Sequence, residues 1–405
     1  MTLLEHELKT NFIGTRGPLF VLALKTSVLT VLTLGIYRFW MKTKLRRYYW
    51  SSVRIAGVPM EYTGQPVEKL LGFLIAVVVL AFYLGIVNLG LMFVSFSVFQ
   101  TNIAAYVLSF LGVIPIWFFA MYRARRYVLG RTRWRGIRFA LDPGAWGYAR
   151  LALGHWIITI LTAGLLWPRM TFHLEKYKTD RTWFGDQQLT QEGRWTMLFP
   201  VALPVIISVL AIIGAIAGMI WLPTLLDQTL SEQSELIWAL AIVMVIATLV
   251  LPFAATVYWI RSLELLTNTK RAGNLRLVFE PSAAKVSRIV FLGNASVTIM
   301  VSIILFALTL LALVGAGGQD IYELAATGTV PVWVATVFAA MSYFVIYILW
   351  GALHHIYVRQ PLWKHFSEKL VVVGGPKLDR VAQRSRDERK DAEGFAEALD
   401  LGAAI

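Results

Sequence analysis

The stretch "LTLGIYRFWMKTKLRRYYW", Leu32–Trp50, begins as an apolar segment and continues as a basic, aromatic one. A looser copy, "LTAGLLWPRMTFHLEKY", begins at Leu161. The apolar half favours a membrane. The basic half is compatible with a nucleic-acid site, a lipid site or a topology signal. The choice between these depends on where such segments lie in the whole chain.

The composition predicts a polytopic membrane protein. The chain has 405 residues, of which 57% are hydrophobic and 15% charged, and soluble domains carry more charge than this. The net charge of +14 does not require nucleic acid, because Lys and Arg collect on the cytoplasmic side of inner-membrane proteins and meet anionic head groups there. The absence of cysteine excludes disulfides, thiolate catalysis and iron–sulfur clusters.

Lysine and arginine are missing from three long blocks of the sequence, and each block can hold two helices of about 20 residues with a turn. The blocks predict six spanning helices in three hairpins, near 70–96, 103–122, 196–222, 236–260, 288–314 and 331–357. The turns are neutral or acidic. The positive-inside rule therefore places them outside and puts the basic loops and the C-terminus in the cytoplasm.

Two further apolar segments, 19–40 and 147–168, are flanked by basic sequence on both sides. A full crossing would move one basic flank to the outside. We therefore predict that both are re-entrant or interfacial helices. For 19–40, the alternative is a spanning helix with the N-terminus outside.

Four segments share a pattern of aromatic or aliphatic residues, a polar stretch, a glycine and a short alternating run: Arg46–Gly64, Arg125–Gly144, Glu175–Gly193 and Glu264–Ser282. The pattern predicts a short β-hairpin or extended arm at the cytoplasmic end of a helix. These arms could pair with one another, and chance similarity of basic loops is the alternative. Glycines with a predicted structural role are Gly35, Gly57, Gly136, Gly164, Gly185 and Gly273.

The predicted fold class is therefore an all-α polytopic membrane protein with internal pseudo-repeats. Six spans and two re-entrant helices carry short cytoplasmic β-arms. Residues 1–362 form the membrane domain, and 363–405 form a charged cytosolic tail. This tail either docks onto the basic arms, binds a protein partner or is solvated.

Several motifs together resemble the YjgN-like family of bacterial inner-membrane proteins, a conserved domain of unknown function. They are "TLGIYRFW" within Leu32–Trp40, the basic run Arg46–Trp50, Gly57, Glu61–Gly64 and "RTRWRGIRF" at Arg131–Phe139. The resemblance covers nearly the whole chain. It implies an inner-membrane location and gives no activity.

The sequence contains no zinc-binding histidine pattern, no nucleotide-binding glycine motif and no nucleophile elbow. We therefore expect no enzymatic activity, no cofactor and no metal. The apolar blocks keep their carboxylates in the turns, which disfavours proton-coupled transport. A channel or carrier for a small neutral or amphipathic solute stays open as an alternative function.

Basic and aromatic side chains that follow the predicted spans form the predicted lipid-binding interface: Arg46, Arg47, Tyr48, Trp50, Arg131, Arg133, Trp134, Arg135 and Arg138. The same mixture can bind single-stranded nucleic acid, but a position directly after a span favours the interface, so we expect no nucleic acid. The resulting hypothesis is a non-enzymatic scaffold or membrane-organising factor that engages anionic lipid at the cytoplasmic leaflet. A GxxxG face at Gly214–Gly218 predicts close helix packing, within the chain or in a homo-oligomer.

Overall fold

The computed structural model describes residues 7–99, 103–225, 230–273, 275–315, 326–328, 331–374 and 381–384. The helices are α1 Arg16–Leu32, α2 Arg38–Ser52, α3 Pro66–Phe82, α4 Asn88–Phe99, α5 Ile103–Gly130, α6 Ala145–Leu161, α7 Trp167–Thr179, α8 Phe199–Leu225, α9 Leu230–Asn268, α10 Ala283–Gly315, α11 Val332–His354 and α12 Gln360–Glu368. The strands are β1 Glu7–Phe12, β2 Val53–Ile55, β3 Val58–Tyr62, β4 Thr132–Trp134, β5 Ile137–Leu141, β6 Thr182–Phe184, β7 Gln187–Gln191, β8 Lys270–Ala272, β9 Leu275–Phe279 and β10 Leu370–Val373. Single π-helical turns join α3 to α4 and α11 to α12.

The prediction of an all-α fold was wrong. Eight strands form four antiparallel hairpins, β2–β3, β4–β5, β6–β7 and β8–β9. β1 pairs with both β2 and β10, and the strand order closes into a barrel of ten strands. An isolated two-stranded arm leaves unpaired backbone groups along both edges, and closure of the sheet removes those edges. The segments predicted as short arms are thus strands of one closed sheet.

The prediction of six spanning helices was also wrong. Within the described residues, five helices are long and apolar enough to cross a membrane: Pro66–Val98, Trp195–Trp221, Ser234–Asn268, Ala283–Val314 and Val332–Glu368. The predicted span 103–122 belongs to α5, which continues into Arg123, Arg125 and Arg126 and is not one of the five.

The five helices are poorly covered by the protein itself. Between 6% and 22% of the most apolar window of each is buried. Exposed apolar surface of this extent is stable in hydrocarbon and unstable in water. The predicted external turns lie wholly or partly outside the described residues, as does most of the predicted tail 363–405. Within that tail range, Leu370–Val373 is strand β10.

The chain divides into two compact units. The first contains Glu68–Ser287 and strand β10, and the second contains Thr10–Val67 and Arg288–Glu368. In the first unit, α5 packs against α6 around a buried cluster that includes Phe118, Tyr122 and Tyr148, and α8 packs along α9. In the second unit, α1 packs against α2 and α11.

Candidate membrane-interface site

The segment Leu32–Trp50 lies in a helical hairpin that is formed by α1 and α2. α1 ends at Leu32, and the backbone then turns through Leu34 (φ 50°) and Gly35 (φ 92°). The Gly35 amide donates to the Thr30 carbonyl at 2.7 Å, which closes the helix with a left-handed cap. The Arg38 amide in turn donates to the Gly35 carbonyl at 3.1 Å and begins α2.

A second helical hairpin, α6–α7, has the same turn. Ala163 (φ 48°) and Gly164 (φ 87°) take the left-handed conformation after α6. The Gly164 amide donates to the Thr159 carbonyl at 2.8 Å, and the Trp167 amide donates to the Gly164 carbonyl at 3.0 Å. The motif Leu-Thr-X-Gly therefore ends one helix and starts the next in both hairpins.

The threonine of this motif satisfies backbone groups on both sides of each turn. Thr33 Oγ1 donates to the Leu29 carbonyl at 2.7 Å and accepts from the Tyr37 amide at 2.9 Å. Thr162 Oγ1 likewise donates to the Ile158 carbonyl at 2.9 Å. Helix ends leave backbone donors and acceptors without partners inside the helix, and these bonds supply partners for some of them.

The tips of both hairpins are apolar and exposed. Leu34 is 91% exposed and Leu32 72% in the first hairpin, and Leu161 is 80% exposed in the second. Large aliphatic side chains at such exposure form a patch that water disfavours. The two hairpin tips are therefore suited to an apolar medium.

Aromatic and cationic side chains flank the first tip. Tyr37 stacks on Trp40 with ring centroids 5.9 Å apart, and Lys44 Nζ donates to the Tyr37 hydroxyl at 2.6 Å. Arg38, at the start of α2, is exposed. At the second tip, Trp156 and Trp167 meet edge to face at 5.9 Å. Aromatic rings with cations are typical of head-group depth in a bilayer.

The predicted interface residues of the first hairpin are engaged within the protein. The Arg46 guanidinium lies over the rings of Trp50 and Tyr62, at 5.6 and 5.2 Å from their centroids. Arg47 donates to the Gly64 carbonyl at 2.9 Å, and the Tyr48 hydroxyl donates to the Thr15 carbonyl at 2.6 Å. These side chains hold α2 against β3, the residues that follow β3 and the loop between β1 and α1.

The predicted interface residues of the β4–β5 hairpin divide into two sets. Arg131 Nη2 pairs with Glu68 at 3.0 Å, and Trp134 is buried. Arg133 and Arg138 face each other across the ladder, and Arg135 is exposed at the turn. Like charges opposite each other on a sheet repel.

The six glycines predicted to be structural, at positions 35, 57, 136, 164, 185 and 273, all have positive φ. Gly35 and Gly164 form the hairpin turns described above. The other four lie in the turns of the β-hairpins.

A buried cluster of charged side chains on α7 was not predicted from the sequence. Glu175 accepts from Lys270 Nζ at 2.7 Å and from Lys178 Nζ at 2.8 Å, and Arg125 Nη2 lies 3.8 Å away. Burial raises the pKa of Glu175, but the charges of Lys178, Lys270 and Arg125 outweigh it and hold that pKa well below its usual range. Burial also lowers the pKa of Lys178. The Glu175–Lys178 spacing was visible in the sequence, whereas the contact with Lys270 was not.

The cluster joins three elements of the first unit. Glu175 and Lys178 lie on α7, Arg125 on α5 and Lys270 on β8. One carboxylate therefore links two helices to a strand and leaves an excess of positive charge. Among the described residues, no group of three or more His, Asp or Glu side chains is placed to hold a metal ion.

A family model described as "Bacterial protein of unknown function (DUF898)" matches residues 7–398. The chain belongs to this family. It is similar to Inner membrane protein YjgN of Salmonella typhimurium, with 28% identity over 147 residues, which are 36% of this chain and 34% of that protein. These matches confirm the family predicted from the sequence. No solved structure matches this chain.

The YjgN match covers only about a third of that relative's length, so it does not transfer a role to this chain. The membrane location rests on the chain itself together with its family. Five described helices have the length and apolar character of membrane spans. This family member is a multi-pass membrane protein.

Proposed function

We propose that this protein is a non-enzymatic component of a bacterial inner membrane that engages anionic lipid of the cytoplasmic leaflet. We further propose that it acts as a scaffold or membrane-organising factor. The observation that carries the proposal is the pair of helical hairpins, α1–α2 and α6–α7, with the same glycine turn and an exposed leucine at each tip.

The dimensions of the hairpins favour entry into one leaflet. α1 and α6 have 17 residues each. Such a helix is roughly 25 Å long, which is shorter than the ~30 Å hydrocarbon core. The returning helices are too polar to lie within hydrocarbon, since α2 carries five Lys or Arg residues. A hairpin whose tip enters the hydrocarbon core, and whose returning helix stays at the membrane surface, agrees with both the short first helix and the charged second helix.

The charge around the first tip favours anionic lipid. Arg38 and Lys44 are exposed on α2, and no Asp or Glu occurs in that helix. A cation near an anionic leaflet contributes about 1 kcal/mol of attraction. The hairpin thus combines an apolar anchor with a cationic collar, which is the combination that holds interfacial helices on anionic membranes.

Depth-dependent quenching tests the insertion of the tips. The natural chain has no cysteine, so a fluorophore can be attached at Leu34→Cys or Leu161→Cys in reconstituted vesicles. Lipids with brominated acyl chains should quench both tips. Ser51→Cys, at the opposite end of α2, is the matched control and should not be quenched. Tips that are quenched no more than Ser51→Cys would contradict the proposed insertion.

The same assay tests lipid selectivity. Brominated phosphatidylglycerol should quench Leu34→Cys more strongly than an equal fraction of brominated phosphatidylcholine. The Arg38→Gln/Lys44→Gln pair should reduce this preference severalfold, because each cation contributes about 1 kcal/mol. Arg54→Gln/Arg276→Gln removes the same charge from exposed strand positions and should preserve the preference. Equal quenching by the two lipids would refute anionic selectivity.

The proposed orientation has a separate test with a membrane-impermeant thiol reagent. Cysteines at Gln100, Gln228 and Gln319, which lie outside the described residues, should be labelled from outside intact cells. A cysteine at Ser51 should react only after the cells are permeabilised. Labelling of Ser51→Cys in intact cells would place α2 on the wrong side for this proposal.

A further inference from the structure

A groove in the second unit lies between the first hairpin and the span α11. Its volume is about 310 Å³. Its surface is mostly apolar. The lining residues include Ser27, Met41, Tyr343, Tyr347, Trp350 and Gly351. We propose that this groove holds an acyl chain of a phospholipid from the cytoplasmic leaflet.

The groove follows from the spacing of residues on α11. Tyr343, Tyr347 and Gly351 recur every four residues and share one face of the helix. Gly351 has no side chain, and a Cβ there would lie 3.5 Å from Ser27 Oγ. α1 therefore approaches α11 closely at Gly351, while the large rings at positions 343 and 347 line the groove.

The hairpin supplies the opposite wall. Ser27 Oγ and Thr30 Oγ1 both point to Met41 Sδ, at 3.9 and 3.8 Å. Thr30 Oγ1 also donates to the Thr26 carbonyl at 2.7 Å, so its hydroxyl presents little unsatisfied polarity to the groove. Methionine adapts its shape to an irregular neighbour, which suits a flexible hydrocarbon chain.

The surroundings select lipid as the occupant. α11 belongs to the apolar span Val332–Glu368, so its exposed rings face hydrocarbon in the membrane. Tyr343 is 63% exposed and Trp350 is 39% exposed, which leaves the groove open along its side. An apolar groove that opens onto hydrocarbon is filled by hydrocarbon at little cost, whereas water there would lose hydrogen bonds.

Charge at one end gives the lipid its orientation. His355, at the end of the groove, shares a hydrogen bond of 2.9 Å with the Tyr49 hydroxyl. Arg359, which is exposed and one helical turn beyond His355, acts electrostatically on Tyr49. A phosphate group at this end meets the cation while its chain runs toward Tyr343. This inference rests on the proposed function, since it assumes that the hairpin lies in the cytoplasmic leaflet.

Photo-crosslinking in nanodiscs tests the groove. The probe is a phospholipid with a diazirine on one acyl chain, used with a glycerol and with a choline head group. We expect crosslinks concentrated on Met41 and Tyr343. Gly351→Leu should reduce the yield at Met41 about tenfold, which corresponds to about 1.4 kcal/mol of binding free energy. Gly351→Ala, whose Cβ makes an ordinary contact, should give an intermediate yield and a folded protein.

Gly214→Leu is the matched control, because Gly214 is exposed on the span α8 with nothing within 4 Å of its Cβ position. It should leave the yield at Met41 unchanged. Crosslinks spread evenly over exposed residues such as Met341 would overturn the proposed groove. An unchanged yield in folded Gly351→Ala and Gly351→Leu would do the same.

The two proposals fail separately. Loss of tip quenching at Leu34→Cys with intact groove crosslinks refutes the insertion of the hairpin tip. The groove then still binds an acyl chain, but at a different depth in the membrane. Retained tip quenching with evenly spread crosslinks refutes the groove alone. Both head groups contain a phosphate and differ in net charge. Stronger crosslinking of the glycerol than of the choline probe supports selection of a net anionic head group at the Arg359 end, and equal crosslinking refutes that selection.

Discussion

Replacement of Glu175 by glutamine changes the side chain little in size, but it should destabilise the protein strongly because it removes the negative charge of the cluster. Glu175→Gln keeps the shape of the side chain but leaves Lys178, Lys270 and Arg125 without their shared anion. The pKa of Glu175 is well below its usual range, so the carboxylate is ionised in the native state at neutral pH. Three cations would then face a neutral amide.

The magnitude follows from burial. Removal of one partner from a buried ion pair costs about 3–5 kcal/mol. The Glu175 side chain is 17% exposed, which places the cost at the lower end, about 3 kcal/mol. With about 2 °C of Tm per kcal/mol for larger domains, Glu175→Gln should lower Tm by about 6 °C.

Glu264→Gln is the matched control. Glu264 is 19% exposed, much like Glu175, but it pairs with Arg261, at 2.8 Å, and the Arg261 side chain is 49% exposed. Such a surface pair contributes about 0.3–0.5 kcal/mol, so Tm should fall by at most about 1 °C. Thermal unfolding in one detergent, followed by tryptophan fluorescence, measures both. Equal shifts in the two variants would refute the claim that the cluster is a structural link.

The pH dependence has a defined sign. Because the folded pKa of Glu175 is depressed, its contribution is present above the unfolded carboxyl pKa and is lost as pH falls through the folded value. The Tm difference between wild type and Glu175→Gln should therefore be constant near neutral pH and should narrow below about pH 4. A difference that widens on acidification would contradict this assignment.

Two glycine substitutions give further predictions. Gly35→Ala places a Cβ in open space at φ +92° and should cost about 1–2 kcal/mol of stability from backbone strain alone. Gly17→Ala, in the helix α1, should not destabilise the protein, and thermal unfolding of the two variants measures the difference. Gly185→Ala would put a Cβ 2.5 Å from a carbonyl oxygen of segment 381–384 and should displace that segment. The Arg138 amide, which donates to a side chain of this segment, should then exchange hydrogen faster, and Gly57→Ala, equally strained but with open space, should not change its exchange.

Local patterns in the sequence contained the turns but not the closure of the sheet. The Leu-Thr-X-Gly motif acts over a few residues, because its threonine and glycine satisfy the ends of the same two helices. Where "GNASVT" (Gly293–Thr298) lacks this motif, α10 continues unbroken. Strand pairing is different. β1 and β10 lie at opposite ends of the chain, and no local preference states which edges meet.

In the candidate site, too, the sequence did not predict contacts between side chains that are distant along the chain. The sequence predicted a lipid-binding interface of basic and aromatic residues but could not show which of them have partners within the protein. Arg131 was predicted to contact lipid, and its partner Glu68 is sixty-three positions away in sequence. Lys270 and Glu175 are ninety-five positions apart. Only the folded chain brings such pairs together.

This division changes which cations should decide lipid selectivity. Arg46, Arg47 and Arg131 have internal partners at hydrogen-bond or ring-stacking distance, so their replacement alters packing as well as charge. A loss of lipid binding in such variants would not identify a binding site. Arg38 and Lys44 have exposed side chains beside an apolar tip, and Lys44 also donates to the Tyr37 hydroxyl. A change in lipid preference on their replacement therefore reports attraction to lipid only where thermal stability is unchanged.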